Sequence, residues 1–136
     1  MYSNPFKVNT FAYMAHNDYM TAMLNYDLKS EYVYDNILVN CHQFVEKLLK
    51  HIINIKTGEI NKTHNLKSLS REVMNHYPET KKIWKCCSIL NDYYFSKRYP
   101  GENYYETDKE QIEEAIECIN NIKELLYPIL VKMECK

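Results

Sequence analysis

Glycine and proline are scarce in this chain: its 136 residues include only two glycines and four prolines. A β-rich protein needs many tight turns and normally uses glycine in them, so the scarcity argues against a β fold. The glycine patterns of the P-loop, the Rossmann turn and the G-x-S-x-G nucleophile elbow are also missing. Their absence excludes the common nucleotide-binding folds and hydrolases that depend on them.

Long apolar runs are missing as well. No stretch reaches the roughly 18 consecutive apolar residues of a membrane span, and the opening MYSNPFKVNTF lacks the apolar segment of a secretory leader. The five cysteines form no C-x-x-C pair, so most of them suit small apolar fillers in a reducing compartment. We expect a cytoplasmic protein without membrane contact, and no metal or cofactor is predicted.

Charge of one sign is not in excess, because the formal net charge is −1. This argues against a protein that coats nucleic acid by bulk charge. The charge is uneven, however: residues 1–100 carry 13 Lys/Arg against 9 Asp/Glu, and residues 101–136 carry 4 against 9. A local basic patch can therefore lie beside an acidic last helix.

What the sequence does contain is helical periodicity, most strongly between Asp35 and Ile55. Nine apolar residues recur there at spacings of three and four, the period of one helix face. They are Ile37, Leu38, Cys41, Phe44, Val45, Leu48, Leu49, Ile52 and Ile53. The width of this face predicts the central helix of a bundle.

A polar stripe runs along the same helix. His42, Glu46 and Lys50 are four residues apart, so they stack on one side. The ordinary interpretation is a solvated face with i,i+4 pairing, and the alternative is a site. His42 and Glu46 have spacing that suits a metal together with His64, but no fourth ligand is suggested, so no metal site is predicted.

The remaining pattern predicts an all-α fold: an antiparallel four-helix bundle with a short additional helix. Residues 1–10 are expected to form an extended lead-in, and residues 11–136 a single domain. The predicted helices are one capped by Asn9 or Thr10 and running to about Leu28, one from Ser30 to about Lys56, a short one from Leu66 to about His76, one from Pro78 to about Ser96, and one capped by Thr107 or Asp108 and reaching about Met133.

Three motifs stand in a recognisable order along the chain. They are His42-Gln43-Phe44-Val45-Glu46-Lys47-Leu48-Leu49-Lys50, then Thr63-His64-Asn65-Leu66, then Arg98-Tyr99-Pro100 leading into Asn103-Tyr104-Tyr105. This order resembles the HEPN domain family (higher eukaryotes and prokaryotes nucleotide-binding). Its members carry an EK-x-x-K-type helix, a T-H-[ND]-L turn and an R-Y-P segment. The resemblance covers roughly Phe11 to Met133.

The resemblance implies a bundle of four or five helices that usually forms a homodimer. Family members include toxins of two-gene toxin–antitoxin modules, whose partner is a small nucleotidyltransferase. Many catalytic members are metal-independent ribonucleases. Their motif is an Arg, a spacer of four to six residues and a His, and two copies of it meet across the dimer.

This chain departs from that catalytic motif. From Arg98 the three allowed spacers lead to Asn103, Tyr104 and Tyr105, and none of these is a histidine. Asparagine neither takes nor gives a proton near neutral pH, so general acid–base cleavage loses its main group. The departure favours binding over catalysis: Arg98, Asn103 and Tyr105 form a degenerate motif with no assigned catalytic residue.

The residues expected to bind a ligand lie around that motif and the polar stripe. Arg98 suits a phosphate, or else a structural ion pair with Glu46. His64 suits a donor to phosphate or base, or else a cap or packing histidine. The aromatic residues at 93–95, 99, 104 and 105 suit stacking on single-stranded RNA or a nucleotide, or else fill the core or a dimer seam. The full expected set is Arg98, Tyr99, Asn103, Tyr104, Lys47, Lys50, His42, Glu46 and His64.

The function that follows is a nucleotide- or RNA-binding helical module. It is expected to form a homodimer and to pair with a nucleotidyltransferase in a toxin–antitoxin-like system. Two alternatives stay open: a metal-independent ribonuclease with a degenerate motif, and a structural interaction module without catalysis.

Overall fold

Five α-helices make up most of the described part of the protein. A computed structural model describes residues 4–96 and 106–134, and 82% of it is helical. The helices are α1 (Phe11–Asp27), α2 (Tyr34–Thr57), α3 (Leu66–His76), α4 (Trp84–Ser96) and α5 (Lys109–Glu134), with 3₁₀ helices at Glu31–Val33 and Pro78–Ile83. No strand occurs within the two described ranges, and the prediction of an all-α fold is confirmed.

The central helix of the fold is α2, which packs against each of the other four α-helices. All nine of its predicted apolar residues are buried, so the predicted core face is confirmed. The helix ends at Gly58, whose backbone φ of 75° lies in the left-handed region that glycine adopts at little cost. The Gly58 N–H donates to the C=O of Asn54 and closes the last turn.

Polar caps fix where α1 and α5 begin. The Thr10 hydroxyl accepts a hydrogen bond from the N–H of Tyr13 and starts α1. At α5 the bonds are reciprocal: the Asp108 carboxylate accepts from the N–H of Gln111, and the Gln111 side chain accepts from the N–H of Asp108. This capping box satisfies two backbone donors that the first turn leaves free.

Two of the predicted helices are divided, because each begins with a 3₁₀ turn. The Ser30 hydroxyl accepts from the N–H of Tyr32 and starts Glu31–Val33, so that α2 begins only at Tyr34. Pro78 likewise starts Pro78–Ile83, and α4 begins at Trp84. Such tight turns are frequent at the ends of α-helices, and apolar periodicity does not distinguish them from the helix that follows.

After α2 the connecting segment returns to the middle of that helix, where α3 begins. The middle of α2, the start of α3 and the end of α4 therefore lie together. His64, before α3, contacts Glu46 in the middle of α2, whereas Tyr77, after α3, lies 4.9 Å below the Nζ of Lys56 near the end of α2. Thus α3 runs alongside α2 in the same direction. Helix α4 then runs back, and Tyr94 in its last turn reaches the middle of α2 again.

The lead-in before α1 packs into the core. Phe6 is buried, and its ring meets Tyr127 of α5 edge-on at a centroid distance of 4.9 Å. The Tyr127 hydroxyl lies 2.7 Å from Nδ1 of His16 on α1. The Asn4 side chain donates to the C=O of Tyr13. The lead-in therefore joins α1 to α5.

Candidate functional site

The polar stripe of α2 is centred on the carboxylate of Glu46. Lys50 Nζ donates to Glu46 Oε2 at 3.0 Å, and Nδ1 of His64 lies 3.2 Å from both carboxylate oxygens. Because a carboxylate only accepts, the His64 Nδ1–H is the donor. His42, Glu46 and Lys50 are all buried. The interpretation of the stripe as a solvated face is therefore wrong, although its i,i+4 pairing is confirmed.

The stripe is covered by two segments that are distant from it in sequence. One is the turn before α3, where the C=O of His64 accepts a hydrogen bond of 3.0 Å from Nε2 of His42. The other is the last turn of α4, where the Tyr94 ring stacks on the His42 ring at a centroid distance of 3.8 Å and an angle of 16°. We call His42, Glu46, Lys50 and His64 the Glu46 cluster.

The turn before α3 holds His64 in position through its neighbours. The Asn65 side chain accepts from two N–H groups in the first turn of α3 and is therefore the helix cap. Leu66 is buried, and its N–H donates to the side chain of Asn91 on α4. Since Asn65 has the capping role, the His64 side chain is left to contact Glu46.

His42 is a neutral histidine at pH 7. Burial lowers its pKa to about 4, and the nearby Glu46 carboxylate only partly opposes this effect. Its Nε2 carries the proton that is donated to the C=O of His64. Its Nδ1 lies 3.6 Å from Glu46 Oε1 and has no hydrogen-bond partner among the described residues. The role that its surroundings indicate is to pin the turn before α3 onto α2.

The two lysines in the expected ligand-binding set are each paired with a carboxylate. Lys50 Nζ is bound to Glu46, as described above. Lys47 Nζ instead faces α1, where it donates to the Asp18 carboxylate at 2.6 Å, and both side chains are 21% exposed. Burial raises the pKa of Asp18, and the bond to Lys47 opposes that shift. Neither lysine offers an unpaired positive charge to a ligand.

Aromatic rings form the open edge of the Glu46 cluster. Phe95 is 42% exposed and lies edge-on to the rings of His42 and Tyr94, at centroid distances of 6.0 and 5.2 Å. Tyr93, next to them in sequence, faces the other way and donates to the Glu114 carboxylate of α5. The side chain of His64 is 56% exposed and is the second accessible ring of the site.

Five predicted site residues lie outside the described residues: Arg98, Tyr99, Asn103, Tyr104 and Tyr105. The described residues on either side of them are anchored to α2. Before the interval, α4 ends at Ser96, directly after the rings that contact His42. After it, the Thr107 hydroxyl donates to the Asp35 carboxylate in the first turn of α2 at 2.6 Å.

Sequence reasoning did not single out Asp18 or Asn91 as parts of the site, and it named Tyr94 only within a group of aromatic residues expected to stack on a ligand or to fill the core or a dimer seam. Asp18 and Asn91 are isolated polar residues on other helices, and no spacing relates them to α2. Tyr94 carried a weak signal, because it lies in the last turn of a helix just before the Pro100-Gly101 break. Only the way the helices pack shows which of the neighbouring aromatic residues faces His42.

Neither a metal-binding group nor a membrane-spanning helix is found in the described part of the chain. Within residues 4–96 and 106–134, no group of three or more His, Cys, Asp or Glu side chains is arranged to hold a metal ion. No helix in the same ranges is both long and apolar enough to cross a membrane.

Comparison with known proteins identifies the family of this chain. The family model of the HEPN domain matches residues 9–130, an interval that runs from the start of α1 to the last turns of α5. It includes the Glu46 cluster and the segment from Arg98 to Tyr105. No curated protein and no solved structure matches the chain.

Proposed function

The chain belongs to the HEPN domain family, and we propose that it is a cytoplasmic module that binds RNA or a nucleotide over the Glu46 cluster. The observation that carries this proposal is the His64 ring: it is more than half exposed, yet a buried carboxylate holds it from behind. A ligand therefore meets a side chain whose orientation is already fixed, so little rotamer entropy is lost on binding.

The hydrogen-bonding capacity of His64 suits a nucleotide. Its Nδ1–H is used by Glu46, so Nε2 is the ring nitrogen left for a ligand. In the neutral ring Nε2 accepts from a base N–H, and in the charged ring it donates to a phosphate oxygen. Either contact is of the kind that single-stranded RNA offers, because its bases and phosphates are both accessible.

Phe95 supplies an aromatic ring beside His42, whose Nε2–H donates to the C=O of His64. The Tyr94–His42 stack supports it from below, and part of the ring is open to solvent. A base that stacks on an exposed aromatic ring gains about 1–3 kcal/mol, and the gain depends little on which base it is. This supports binding of unpaired bases without strong sequence preference.

The proposal assigns phosphate recognition to Arg98. Lys47 and Lys50 are neutralised by Asp18 and Glu46, so they support the site but do not supply its charge. Arg98 follows the last residue of α4 by two positions, and two residues of chain reach at most about 7 Å. A guanidinium also binds phosphate through two parallel hydrogen bonds, which an ammonium does not do.

We further propose that the module forms a homodimer and pairs with a nucleotidyltransferase in a toxin–antitoxin-like system. Binding rather than RNA cleavage is proposed, because none of the three positions where the family's ribonuclease motif allows its histidine, Asn103, Tyr104 and Tyr105, is a histidine.

The experiment that tests the proposal is fluorescence anisotropy with a labelled single-stranded RNA of mixed sequence at low salt. Phe95→Ala and Arg98→Ala are each expected to weaken binding about tenfold, the effect of one stacked base or one charge-assisted phosphate contact. Arg71→Ala is the matched control. It removes the only other arginine, which lies on α3 with its guanidinium 5.7 Å from the Trp84 ring, and it is expected to leave binding unchanged.

The same samples separate the three functional hypotheses. RNA binding that falls with salt and with both site variants, without cleavage, supports the binding module. Robust metal-independent cleavage that Arg98→Ala abolishes would support the ribonuclease instead. Absence of binding to RNA and to each of the four nucleoside triphosphates would leave the structural interaction module.

A further inference from the structure

A cavity lies between the turn that joins α1 to α2 and the start of α5. Its volume is about 260 Å³, and it is lined by Tyr26, Lys29, Tyr34, Lys109, Ile112 and Glu113. None of these residues belongs to the Glu46 cluster. Ile112, which is completely buried, forms an apolar floor. The other five lining residues are polar or charged.

The polar groups of this cavity have few partners of their own. Within residues 4–96 and 106–134, the side chains of Tyr26, Lys29 and Tyr34 make no hydrogen bond or ion pair with the protein. Lys109 Nζ lies 3.8 Å from Glu113, but both side chains are more than half exposed, so this pair is worth little. Two phenols and two ammonium groups therefore surround the cavity, against a single carboxylate.

Lys29 also has an unusual backbone. Its φ is 53°, in the left-handed region, where a residue with a Cβ is disfavoured. Asn9 is the other non-glycine residue with positive φ in the described part of the chain, and asparagine tolerates that conformation better. Glycine at position 29 would remove the strain, so the lysine side chain is kept at a cost to stability. Unusual backbone of this kind is often found where a side chain is used in binding.

We propose that this cavity binds a small phosphorylated sugar. The phosphate would lie between Lys29 and Lys109, whose ammonium groups can each donate a charge-assisted hydrogen bond to it. The phenols of Tyr26 and Tyr34 offer hydrogen bonds to sugar hydroxyls and ring faces to sugar carbons. The volume is below the 300–1,000 Å³ of pockets for drug-sized ligands, which excludes a dinucleotide and suits a pentose phosphate.

The test is calorimetric titration of the purified protein with ribose 5-phosphate, with ribose and inorganic phosphate as partial ligands. Ribose 5-phosphate is expected to bind more tightly than phosphate, and ribose is expected not to bind. Lys29→Gly should weaken binding about tenfold, the effect of one charge-assisted contact. Tyr34→Phe should weaken it about threefold, as for one neutral hydrogen bond.

The control is Asn9→Gly, which makes a similar backbone change at the other positive-φ position and removes no cation. It should leave the affinity for ribose 5-phosphate unchanged. Lys29→Gly is expected to unfold at the same or a higher denaturant concentration than the natural protein, because glycine relieves the strain. Its loss of binding would then not reflect misfolding.

Two results would overturn the proposal: no heat of binding with ribose 5-phosphate at millimolar concentration, or binding that survives Lys29→Gly. Neither result bears on the Glu46 cluster, because RNA binding there depends on Phe95 and Arg98. Conversely, Phe95→Ala should leave binding of ribose 5-phosphate unchanged.

Discussion

Replacing Glu46 with glutamine tests whether its carboxylate is the centre of the site. The side chain is buried and has ion-pair contacts with Lys50 at 3.0 Å and with His64 at 3.2 Å. Glu46→Gln keeps the shape but removes the charge, so the buried Lys50 ammonium loses its counter-ion. Breaking a buried ion pair on one side costs about 3–5 kcal/mol. We expect about 3 kcal/mol here, because the amide oxygen can still accept one hydrogen bond.

The measurement is urea unfolding at pH 7, followed by circular dichroism, for a double-mutant cycle. Lys50→Met alone leaves Glu46 with the His64 N–H and should cost about 1–2 kcal/mol. In the variant with both changes no unpaired buried charge remains, so its cost should be smaller than the sum of the two single costs by at least about 1 kcal/mol.

Asp18→Asn is the control for this cycle. It breaks the Lys47–Asp18 pair, whose side chains are 21% exposed and retain some water, so its cost should be nearer to 1 kcal/mol. A loss of less than about 0.5 kcal/mol for Glu46→Gln, with no coupling to Lys50, would refute the reasoning. It would mean that the cluster contributes nothing to holding the turn before α3 on α2.

Three further predictions concern pH, the core and assembly. The pKa of His42 is about 4 in the folded state and near 6.5 in the unfolded state, so the unfolded state binds more protons between these values. The contribution of His42 to the free energy of unfolding should therefore be fully present above pH 6.5 and should fall by up to about 3 kcal/mol as the pH approaches 4. In urea titrations at each pH, the free energy of unfolding of His42→Asn should depend less on pH. Leu48→Ala or Ile52→Ala, both at fully buried positions, should each lower the free energy of unfolding by about 2–5 kcal/mol, and a circular-dichroism spectrum dominated by strand would contradict the fold itself. Light scattering should give the mass of a dimer, with Arg98 and Tyr99 contributing to the interface; a monomer at high micromolar concentration would count against it.

The fold was predictable from the sequence because local signals agree with one another. The apolar face of α2, the Thr10 cap and the Gly58 stop each specify a helix without reference to any distant residue. The 3₁₀ turns were missed because a tight turn and the first turn of an α-helix share the same apolar spacing. Phe6 was missed for a different reason: a single apolar residue in a polar lead-in has no period.

The candidate site was predictable only in part. The spacing of His42, Glu46 and Lys50 correctly indicated one side of a helix, but spacing does not tell whether that side meets water. The outcome depended on the turn containing His64, which lies 18 residues from Glu46 in sequence, and on Tyr94, which lies on α4. Burial of a polar stripe is thus decided by tertiary contacts rather than by the helix that carries it.

The contact between the lead-in and α5 has a consequence for synthesis on the ribosome. Phe6 and His16 find Tyr127 only after 111 or more further residues have been added, and Tyr19 donates to Asn120, which is 101 residues away. While the chain emerges, α1 can pair with α2 but its outer side stays open to water and to other proteins. The protein therefore closes its core only after α5 has been synthesised. Chains that stop before α5 should remain bound by chaperones, even though α1, α3 and α4 already provide most of the contacts of α2.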